Sequence, residues 1–271
     1  MRDIALQVAR ESKRGERNVL REYLQNYILL LMQKTKMNES LYFVGGTALR
    51  FLYGIRRYSE DLDFTAGQRW VESDLKLFTS KISRELERAG YDVTINSKDQ
   101  KTVQRMIIRF AGLLEALGQV GLKEQKFSIH VEIDINPPSG WKEERTIVNI
   151  HHPVLIRHYD LPSAFAGKLA AVLLRPYSKG RDVFDLFWFR SRWRSLRPNL
   201  VLLNNALKQQ RSRFEPLRKD TWISAVRSKI EALDWDSVKD DVTPFLESED
   251  DLTAFSHDAL LTLYANRQSQ H

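Results

Sequence analysis

The chain has no cysteine and no long hydrophobic run, and these absences exclude several classes of protein. Without thiols there is no cysteine nucleophile, no thiolate metal site and no disulfide that requires an oxidising compartment. The most apolar stretches, residues 27 to 32 and 164 to 174, fall well short of the roughly 20 residues that a bilayer-spanning helix needs. The first residues lack the order of a secretory signal. We therefore expect a cytoplasmic protein without a membrane partner.

The composition is that of a packed, basic protein. The 271 residues are enough for one large domain or two modest ones, and 42% hydrophobic with 28% charged residues is typical of a globular chain rather than a disordered one. Lysine and arginine exceed aspartate and glutamate by 42 to 35, which gives a net charge of +7. This excess favours a polyanionic partner without proving one.

The hydrophobic periodicity divides the chain into two parts. Helices are predicted at residues 17 to 36, 47 to 53 and 72 to 89, and strands at 41 to 44, 61 to 65, 91 to 95, 103 to 110 and 127 to 135. After Pro162 only helices are predicted, at 163 to 174, 181 to 193, 199 to 210, 221 to 232 and 252 to 266, with the acidic run 247 to 251 on a loop. We predict an α+β fold, with a mixed-sheet lobe over residues 1 to 160 and an all-helical lobe over 161 to 271.

Two carboxylates stand two residues apart in the predicted strand 61 to 65. In a strand, Asp61 and Asp63 leave the same face, while Leu62 and Phe64 point to the core. Magnesium is commonly held by one or two carboxylates together with substrate phosphates, so the pair is a candidate metal site. The alternative is two solvent-facing acids, because the Asp-x-Asp pattern alone arises often by chance.

A glycine pair precedes the acids. Gly45 and Gly46 end one strand and open a helix, where backbone amides and the helix dipole can hold phosphate. The hydroxyl of Thr47 can cap this helix or contact a phosphate oxygen. The alternative is that the glycines serve backbone geometry only.

A third carboxylate is needed if two metal ions take part, because the ions share ligands from opposite sides. The strand 127 to 135 places Glu132 and Asp134 on its polar face together with His130, and either acid can serve. His130 is expected to be a hydrogen-bonding neighbour, since magnesium prefers oxygen ligands.

Taken together, these motifs resemble a known family. Gly45-Gly46-Thr47-Ala48-Leu49, followed by the order Arg-x-Ser-x-Asp-x-Asp from Arg57 to Asp63, is similar to the first motif of the AbiEii-type nucleotidyltransferase toxins, which have a polymerase-beta-like nucleotidyltransferase fold. Later motifs match as well, and together they cover about residues 40 to 190: Lys168, Arg175, Arg181, Asp182, Asp185 and Leu186.

The resemblance implies roles for the later residues. Lys168 and Asp182 are implied to be a paired, essential set, and Arg175, Arg181 and Asp185 are implied to lie at the nucleotide. Lys168 and Arg175 are seven apart on one helical face, where two cations can neutralise pyrophosphate, although a solvated lysine and a helix-terminal arginine are the alternative. Asp182 and Asp185 share a helical face, and helix capping is their structural alternative.

Two further features have more than one interpretation. Ser59 either orients Asp61 or the loop through its hydroxyl or, as the resemblance implies for some members, is a modified regulatory site close to the nucleotide. A basic, tryptophan-containing stretch suits RNA phosphates, with a wet face around a core tryptophan as the alternative. It comprises Arg190, Arg192, Trp193, Arg194 and Arg197, followed by Lys208, Arg211, Arg213, Arg218 and Lys219.

The function that the resemblance implies is nucleotide transfer from a nucleoside triphosphate with Mg2+. The chain would be the toxin of a bacterial toxin-antitoxin or phage-defence (abortive infection) pair, with a cognate antitoxin as partner, the nucleotide between the two lobes and the 3′ end of tRNA as acceptor. The alternatives are transfer to a protein or small molecule and a non-catalytic nucleic-acid-binding module.

Overall fold

A computed structural model describes residues 1–12, 15–71, 73–100, 102–118, 127–175, 179–211 and 214–265. The strands in this part of the chain are β1 Leu41–Val44, β2 Asp61–Ala66, β3 Val93–Lys98, β4 Val103–Phe110, β5 Phe127–Asp134, β6 Glu143–Asn149 and β7 Pro153–Tyr159. The helices are α1 Arg2–Arg10, α2 Glu16–Lys34, α3 Gly45–Tyr53, α4 Asp74–Arg88, α5 Leu113–Ala116, α6 Leu161–Leu174, α7 Gly180–Arg192, α8 Leu200–Gln209, α9 Trp222–Glu231, α10 Trp235–Val242, α11 Glu249–Ala254 and α12 His257–Leu263. The predicted fold class, a mixed sheet with helices followed by helices, is confirmed.

The seven strands form one sheet in the order β3-β4-β5-β2-β1-β7-β6. β2 lies inside it, antiparallel to β1 and parallel to β5, so polar residues of three strands can meet around β2. The alternation in β5 places Phe127, Ile129, Val131 and Ile133 in the core and leaves the other face polar, as the sequence pattern predicts. α2 and α4 add further apolar residues to this core, together with residues of α1, α3, α5 and the neighbouring strands.

Several elements differ from the sequence prediction. The helix predicted at 252 to 266 is two helices, α11 and α12, within the described residues, which end at 265. Ser256 breaks the helix because its side chain accepts the amide N–H of Ala259 and caps α12. The acidic run predicted as a loop instead begins α11, where Ser248 caps the helix and Asp251 contacts Arg56 at 3.2 Å. Negative charge in a first helical turn is favourable, which explains this outcome.

The residues group into two compact units by their contacts. Unit 1 comprises residues 1–54, 58–137 and 143–158, and unit 2 comprises residues 55–57, 138–142 and 159–271. The short segment 55–57 therefore belongs with the helices, although it lies within the sequence of the sheet unit. Whether the chain divides into independent domains near residue 160 stays a prediction.

In the part of the chain that the structure describes, helices of sufficient length and apolarity to cross a bilayer are absent.

Candidate functional site

The two acids of the Asp-x-Asp motif lie on β2, on the polar face of the sheet. Leu62 and Phe64 alternate with them and are buried in the core, so the strand forms for the usual reason of half-burial. Asp61 stays 42% exposed, and its Oδ1 lies 3.7 Å from Nδ1 of His130 on β5. The predicted geometry is therefore present: two carboxylates leave one face of one strand.

Gly45 allows the carboxylate of Asp63 to lie against the start of α3. Val44 is the register partner of Asp63 across β1 and β2, and Gly45 follows it with φ +77°. A Cβ atom built on Gly45 would stand 2.1 Å from Oδ2 of Asp63. Two features therefore exclude a side chain at residue 45: the left-handed backbone conformation and the carboxylate of Asp63.

The first turn of α3 carries the other residues of the glycine motif. Gly46 is buried, and Thr47 is fully buried with its hydroxyl donating to the backbone carbonyl of Asp61. Thr47 therefore neither caps the helix nor presents its hydroxyl to a ligand, and instead it ties α3 to β2. The backbone amides of a first helical turn lack acceptors within the helix, so the segment suits an anion through its main chain.

We expect Gly45→Ala to reduce activity far more than Gly54→Ala, its matched control at the other end of α3. Gly54 also has a positive φ of 72°, but a Cβ atom there meets nothing within 4 Å. Both changes cost on the order of 1–2 kcal/mol for a left-handed alanine, whereas only Gly45→Ala displaces Asp63. A displacement of about 1 Å in a catalytic group costs roughly 10²-fold in rate.

Nucleotide transfer and thermal melting of both variants measure this difference. Equal activity of the two variants at equal stability would mean that the contact between Gly45 and Asp63 has no role in the reaction.

The candidates for the third carboxylate differ in their position along β5. Glu132 is the register partner of Asp63, whereas Asp134 is opposite Thr65, one step further along. Oε1 of Glu132 lies 3.0 Å from Nε of Arg105 on β4. Asp134 accepts the amide N–H of Asn136 at 2.9 Å, and burial raises the pKa of its carboxyl above the ordinary value. Register favours Glu132, which must leave Arg105 to serve as a ligand.

The donor set fits a magnesium ion that shares its coordination with a substrate. Within the described residues, no three histidine, aspartate or glutamate side chains are placed to hold a metal together. Asp61 and Asp63 supply two carboxylates on one face, and magnesium is usually bound by one or two carboxylates, waters and substrate phosphates. An ion held by protein ligands alone does not fit this arrangement.

Ser59 lies just before β2 and is half-buried. Its backbone carbonyl accepts the side-chain amide of Gln25 on α2 at 3.1 Å. The preceding Tyr58 is buried, and the guanidinium of Arg50 lies 4.1 Å from the centre of its ring. The loop that leads into Asp61 is therefore held at Ser59 by its main chain, and the side-chain role of Ser59 stays a prediction.

Unit 2 contains a buried ion cluster, formed by Arg57, Lys168, Asp182 and Asp185. Nζ of Lys168 on α6 lies 3.0 Å from Oδ1 of Asp182 and 2.8 Å from Oδ2 of Asp185, both on α7. Arg57 donates to both oxygens of Asp185, from Nε at 2.6 Å and from a terminal nitrogen at 2.7 Å. The pairing of Lys168 with Asp182 that the resemblance implies is present.

Burial and charge act in opposite directions on this cluster. Burial alone would lower the pKa of Lys168, but Asp185 and Asp182 outweigh it and raise that pKa above its ordinary value. Burial would likewise raise the pKa of Asp182, but Lys168, Arg175 and Arg57 outweigh it, and the pKa lies below its ordinary value. Lysine and aspartate are therefore both charged at neutral pH.

The remaining predicted nucleotide ligands of unit 2 differ in accessibility. Asp185 is fully buried and holds Arg57 and Lys168, so its carboxylate is not presented to a ligand. Arg175 pairs with Asp182 and is 37% exposed. Arg181 lies with its guanidinium 4.3 Å from the centre of the Phe245 ring. Arg175 thus remains accessible, and the side chain of Asp185 is structural.

The N-terminus of α7 is fixed by a close contact with α10. A Cβ atom on Gly180 would stand 2.0 Å from the carbonyl oxygen of Val238, so only glycine fits there. Asp241, in the same helix α10, accepts the amide N–H of Arg181 at 3.2 Å. These contacts position Asp182, two residues after Gly180.

A family model described as nucleotidyl transferase AbiEii toxin, type IV TA system, matches residues 29–261. The chain belongs to the AbiEii nucleotidyltransferase toxin family. A search of curated proteins finds no match to the chain. Members of this family are nucleotidyltransferase toxins of type IV toxin-antitoxin systems, so membership implies a nucleoside triphosphate substrate and an antitoxin partner.

Solved structures support the AbiEii fold. MenT4, a nucleotidyltransferase toxin from Mycobacterium tuberculosis, is 19% identical with a TM-score of 0.60, over 98% of this chain and 88% of that one. A candidate nucleotidyltransferase from H. pylori is 18% identical with a TM-score of 0.51, over 89% of this chain and 92% of that one. JHP933 from Helicobacter pylori is 16% identical with a TM-score of 0.51, over 90% of both chains. At such identities these likenesses show the fold alone.

The contact that sequence reasoning missed in this AbiEii chain is that of Arg57. The motif includes Arg57, but its spacing gives no partner, and the partner Asp185 lies 128 residues away. The side chain of Arg57 is only 2% exposed and is among the largest fully buried side chains of the described residues. The sequence shows two adjacent arginines, Arg56 and Arg57, between Ile55 and Tyr58, and nothing in it tells the buried arginine from the exposed one.

Proposed function

We propose that this AbiEii toxin transfers a nucleotidyl group from a nucleoside triphosphate to the 3′ end of tRNA in the cytoplasm, using Mg2+. The observation that carries the proposal is the carboxylate pair on β2, with Asp63 lying directly against Gly45 at the start of α3. Carboxylates for a hard cation and main-chain amides for phosphate thus stand side by side. Family membership and the net charge of +7 support a polyanionic nucleic-acid acceptor.

The residues of this chain would divide the work as follows. Asp61 and Asp63 would hold Mg2+, and Glu132 would be the preferred third carboxylate once its side chain leaves Arg105. The main chain of Gly45, Gly46 and Thr47 would hold the triphosphate. When bound, the metal lowers the pKa of a coordinated hydroxyl and offsets the charge on phosphate oxygens.

The proposed reaction is a substitution at the α-phosphorus of the nucleoside triphosphate. The acceptor hydroxyl oxygen forms a bond to the α-phosphorus, the bond from that phosphorus to the oxygen bridging it to the β-phosphorus breaks, pyrophosphate leaves with that electron pair, and the hydroxyl proton passes to water. Most of the catalysis of such a transfer is positioning and electrostatics, which matches a site of carboxylates and backbone amides.

Lys168 and Asp182 of unit 2 are proposed as further required residues, on the resemblance and on their buried pairing. The exposed part of Arg175 provides a cation for phosphate. Each of these residues is substituted singly, and both the transfer activity and the stability of each variant are measured. Loss of activity at unchanged stability supports a role in the reaction.

The proposal predicts that purified protein labels tRNA only in the presence of Mg2+. Each labelled nucleoside triphosphate is incubated with total tRNA and the protein, with and without an excess of EDTA, and the RNA is separated on a denaturing gel. We expect label in tRNA, loss with EDTA, recovery when Mg2+ is restored, and no incorporation when the tRNA 3′ end is blocked by periodate oxidation.

Other outcomes identify the alternatives. Label in protein or a small molecule that survives nuclease would support a different acceptor at the same site. Absence of label with every nucleotide, under conditions in which a related toxin works, would contradict the proposed function. RNA binding and growth arrest that are unaffected by Asp63→Ala would point to a non-catalytic nucleic-acid-binding module.

A further inference from the structure

We infer that unit 2 carries a binding pocket for the backbone phosphates of the RNA acceptor, outside the ion cluster of Lys168 and Asp182. The pocket has a volume of about 600 Å3 and is formed at the end of α7, the loop after it and the start of α9. Five cations of the described residues line it: Arg190, Arg192, Arg194, Arg197 and Lys219. We call this cavity the arginine pocket, and its role rests on the proposed function.

Four cations of the arginine pocket, Arg192, Arg194, Arg197 and Lys219, have no carboxylate partner among the described residues. The described residues that line the pocket include no aspartate or glutamate. Like charges gathered around one cavity repel each other, and this repulsion is relieved when an anion enters. Elsewhere in unit 2, surface cations do have acidic partners, as Arg218 has Asp220.

The frame of the pocket is preformed. Arg190 is buried, and its guanidinium donates to the backbone carbonyls of Leu263, Arg194 and Leu196. Arg190 therefore fixes the loop that carries the other arginines and is a positioning residue. Arg194 donates to the carbonyl of Thr262 at 2.8 Å, which holds it at the rim. Arg192, Arg197 and Lys219 are exposed and remain available to a ligand.

The aromatic residues of the pocket favour RNA over a simple anion. Trp193 is half-buried, and its ring lies 5.4 Å from the guanidinium of Arg192. The ring of Trp188 packs edge-on against the ring of Trp193, with 5.0 Å between the ring centres. Proteins bind single-stranded RNA with aromatic rings and arginine planes for the bases and with cations for the backbone. A cavity of this volume accepts a short unpaired segment, whereas a duplex is too wide.

The test compares two triple variants with the same change of charge. Arg192→Gln/Arg197→Gln/Lys219→Gln removes the exposed cations of the arginine pocket. The control Lys142→Gln/Arg227→Gln/Lys239→Gln removes three cations of the same unit that neither line the pocket nor belong to the basic stretch of residues 190 to 219. Binding of fluorescently labelled total tRNA is measured by anisotropy, without nucleoside triphosphate, over a range of salt concentrations. Tryptophan fluorescence and melting curves check the fold.

We expect the pocket variant to bind tRNA at least roughly tenfold more weakly at about 0.1 M salt. Its slope of log affinity against log salt should fall by about 2, because each single-strand phosphate contact contributes about 0.7. The control should change affinity by less than about threefold. Lys219→Glu alone, at an exposed position, should lower affinity in the same direction and serves if the triple variant does not fold.

Equal weakening in both triple variants would overturn the pocket in favour of a diffuse charge effect, as would no weakening in either. A wild-type protein that binds no tRNA at low salt overturns it too. Loss of binding to poly-glutamate without loss of binding to tRNA would instead assign the pocket to an acidic protein partner. Because binding is read without transfer, a protein that binds tRNA through the pocket but incorporates no nucleotide fails only the proposed function.

Discussion

Asp63→Asn is expected to lower nucleotide transfer by on the order of 10³-fold, while the protein keeps its fold. Metal ions stabilise the developing charge of phosphoryl transfer by several kcal/mol, and about 1.4 kcal/mol is a factor of ten in rate. The asparagine has the same shape as the aspartate, so its contact with Gly45 is retained and only the charge is lost. Initial rates with labelled nucleotide and total tRNA measure the effect.

Asp92→Asn is the matched control for this variant. Asp92 is an exposed acid of the same unit and lies just before β3, so its loss removes one negative charge outside the proposed site. The transfer activity of the Asp92→Asn variant should stay within about twofold of the wild type. In the same assay Glu132→Gln should lose more activity than Asp134→Asn, because Glu132 is opposite Asp63. Activity of Asp63→Asn within tenfold of the wild type would mean that the β2 pair does not hold the metal.

Asp185→Ala is expected to lower the free energy of unfolding of unit 2 by about 3–5 kcal/mol. The change leaves the buried guanidinium of Arg57 without its bidentate partner and leaves Lys168 with Asp182 alone. Both side chains of the lost pair are almost fully buried, at 2% and 0% exposure, so water does not replace the lost contacts. An uncompensated buried charge is among the few causes of so large an effect.

Urea denaturation followed by tryptophan fluorescence measures this loss. Five of the six tryptophans lie in unit 2, so the signal reports mainly on the affected unit, and separate transitions of the two units can be recognised. Asp220→Ala is the control, since Asp220 and Arg218 are exposed and 3.6 Å apart. An exposed pair contributes about 0–1 kcal/mol.

A compensating double variant separates charge from packing. Arg57→Leu/Asp185→Leu replaces both members by apolar side chains and should regain part of the stability that either single change loses, because burying neither charge avoids the desolvation cost. A loss of less than about 1 kcal/mol in Asp185→Ala would contradict a structural role for the pair.

The part of the site that depends on neighbouring residues could be predicted from the sequence. The spacing of Asp61 and Asp63, and the strict alternation in β5, place their polar side chains on one face whatever the topology. The positive φ of Gly45 follows from a glycine at a turn between strand and helix. Local patterns of this kind depend on backbone geometry, which is the same in every fold.

The rest depends on contacts between distant residues. β6 was not predicted, because its mostly exposed, charged residues, such as Glu143 and Glu144, carry no apolar alternation, as is usual for an edge strand. The burial of Asp185 could not be read from its helical spacing, since Arg57 approaches it from a segment far away in the sequence. The hydroxyl of Thr47 was expected at a ligand or a cap, but β2 offers it a carbonyl that no local pattern reveals.

The position of residues 55–57 in unit 2 has a consequence for the time course of synthesis. Arg57 is made 128 residues before Asp185, and Arg57 also bridges Leu246, which follows later still. At translation rates of about 5–20 residues per second, Asp185 is synthesised on the order of ten seconds after Arg57. The glycine turn and the β2 acids are therefore synthesised early, whereas unit 2 can complete its folding only after most of the chain has been translated.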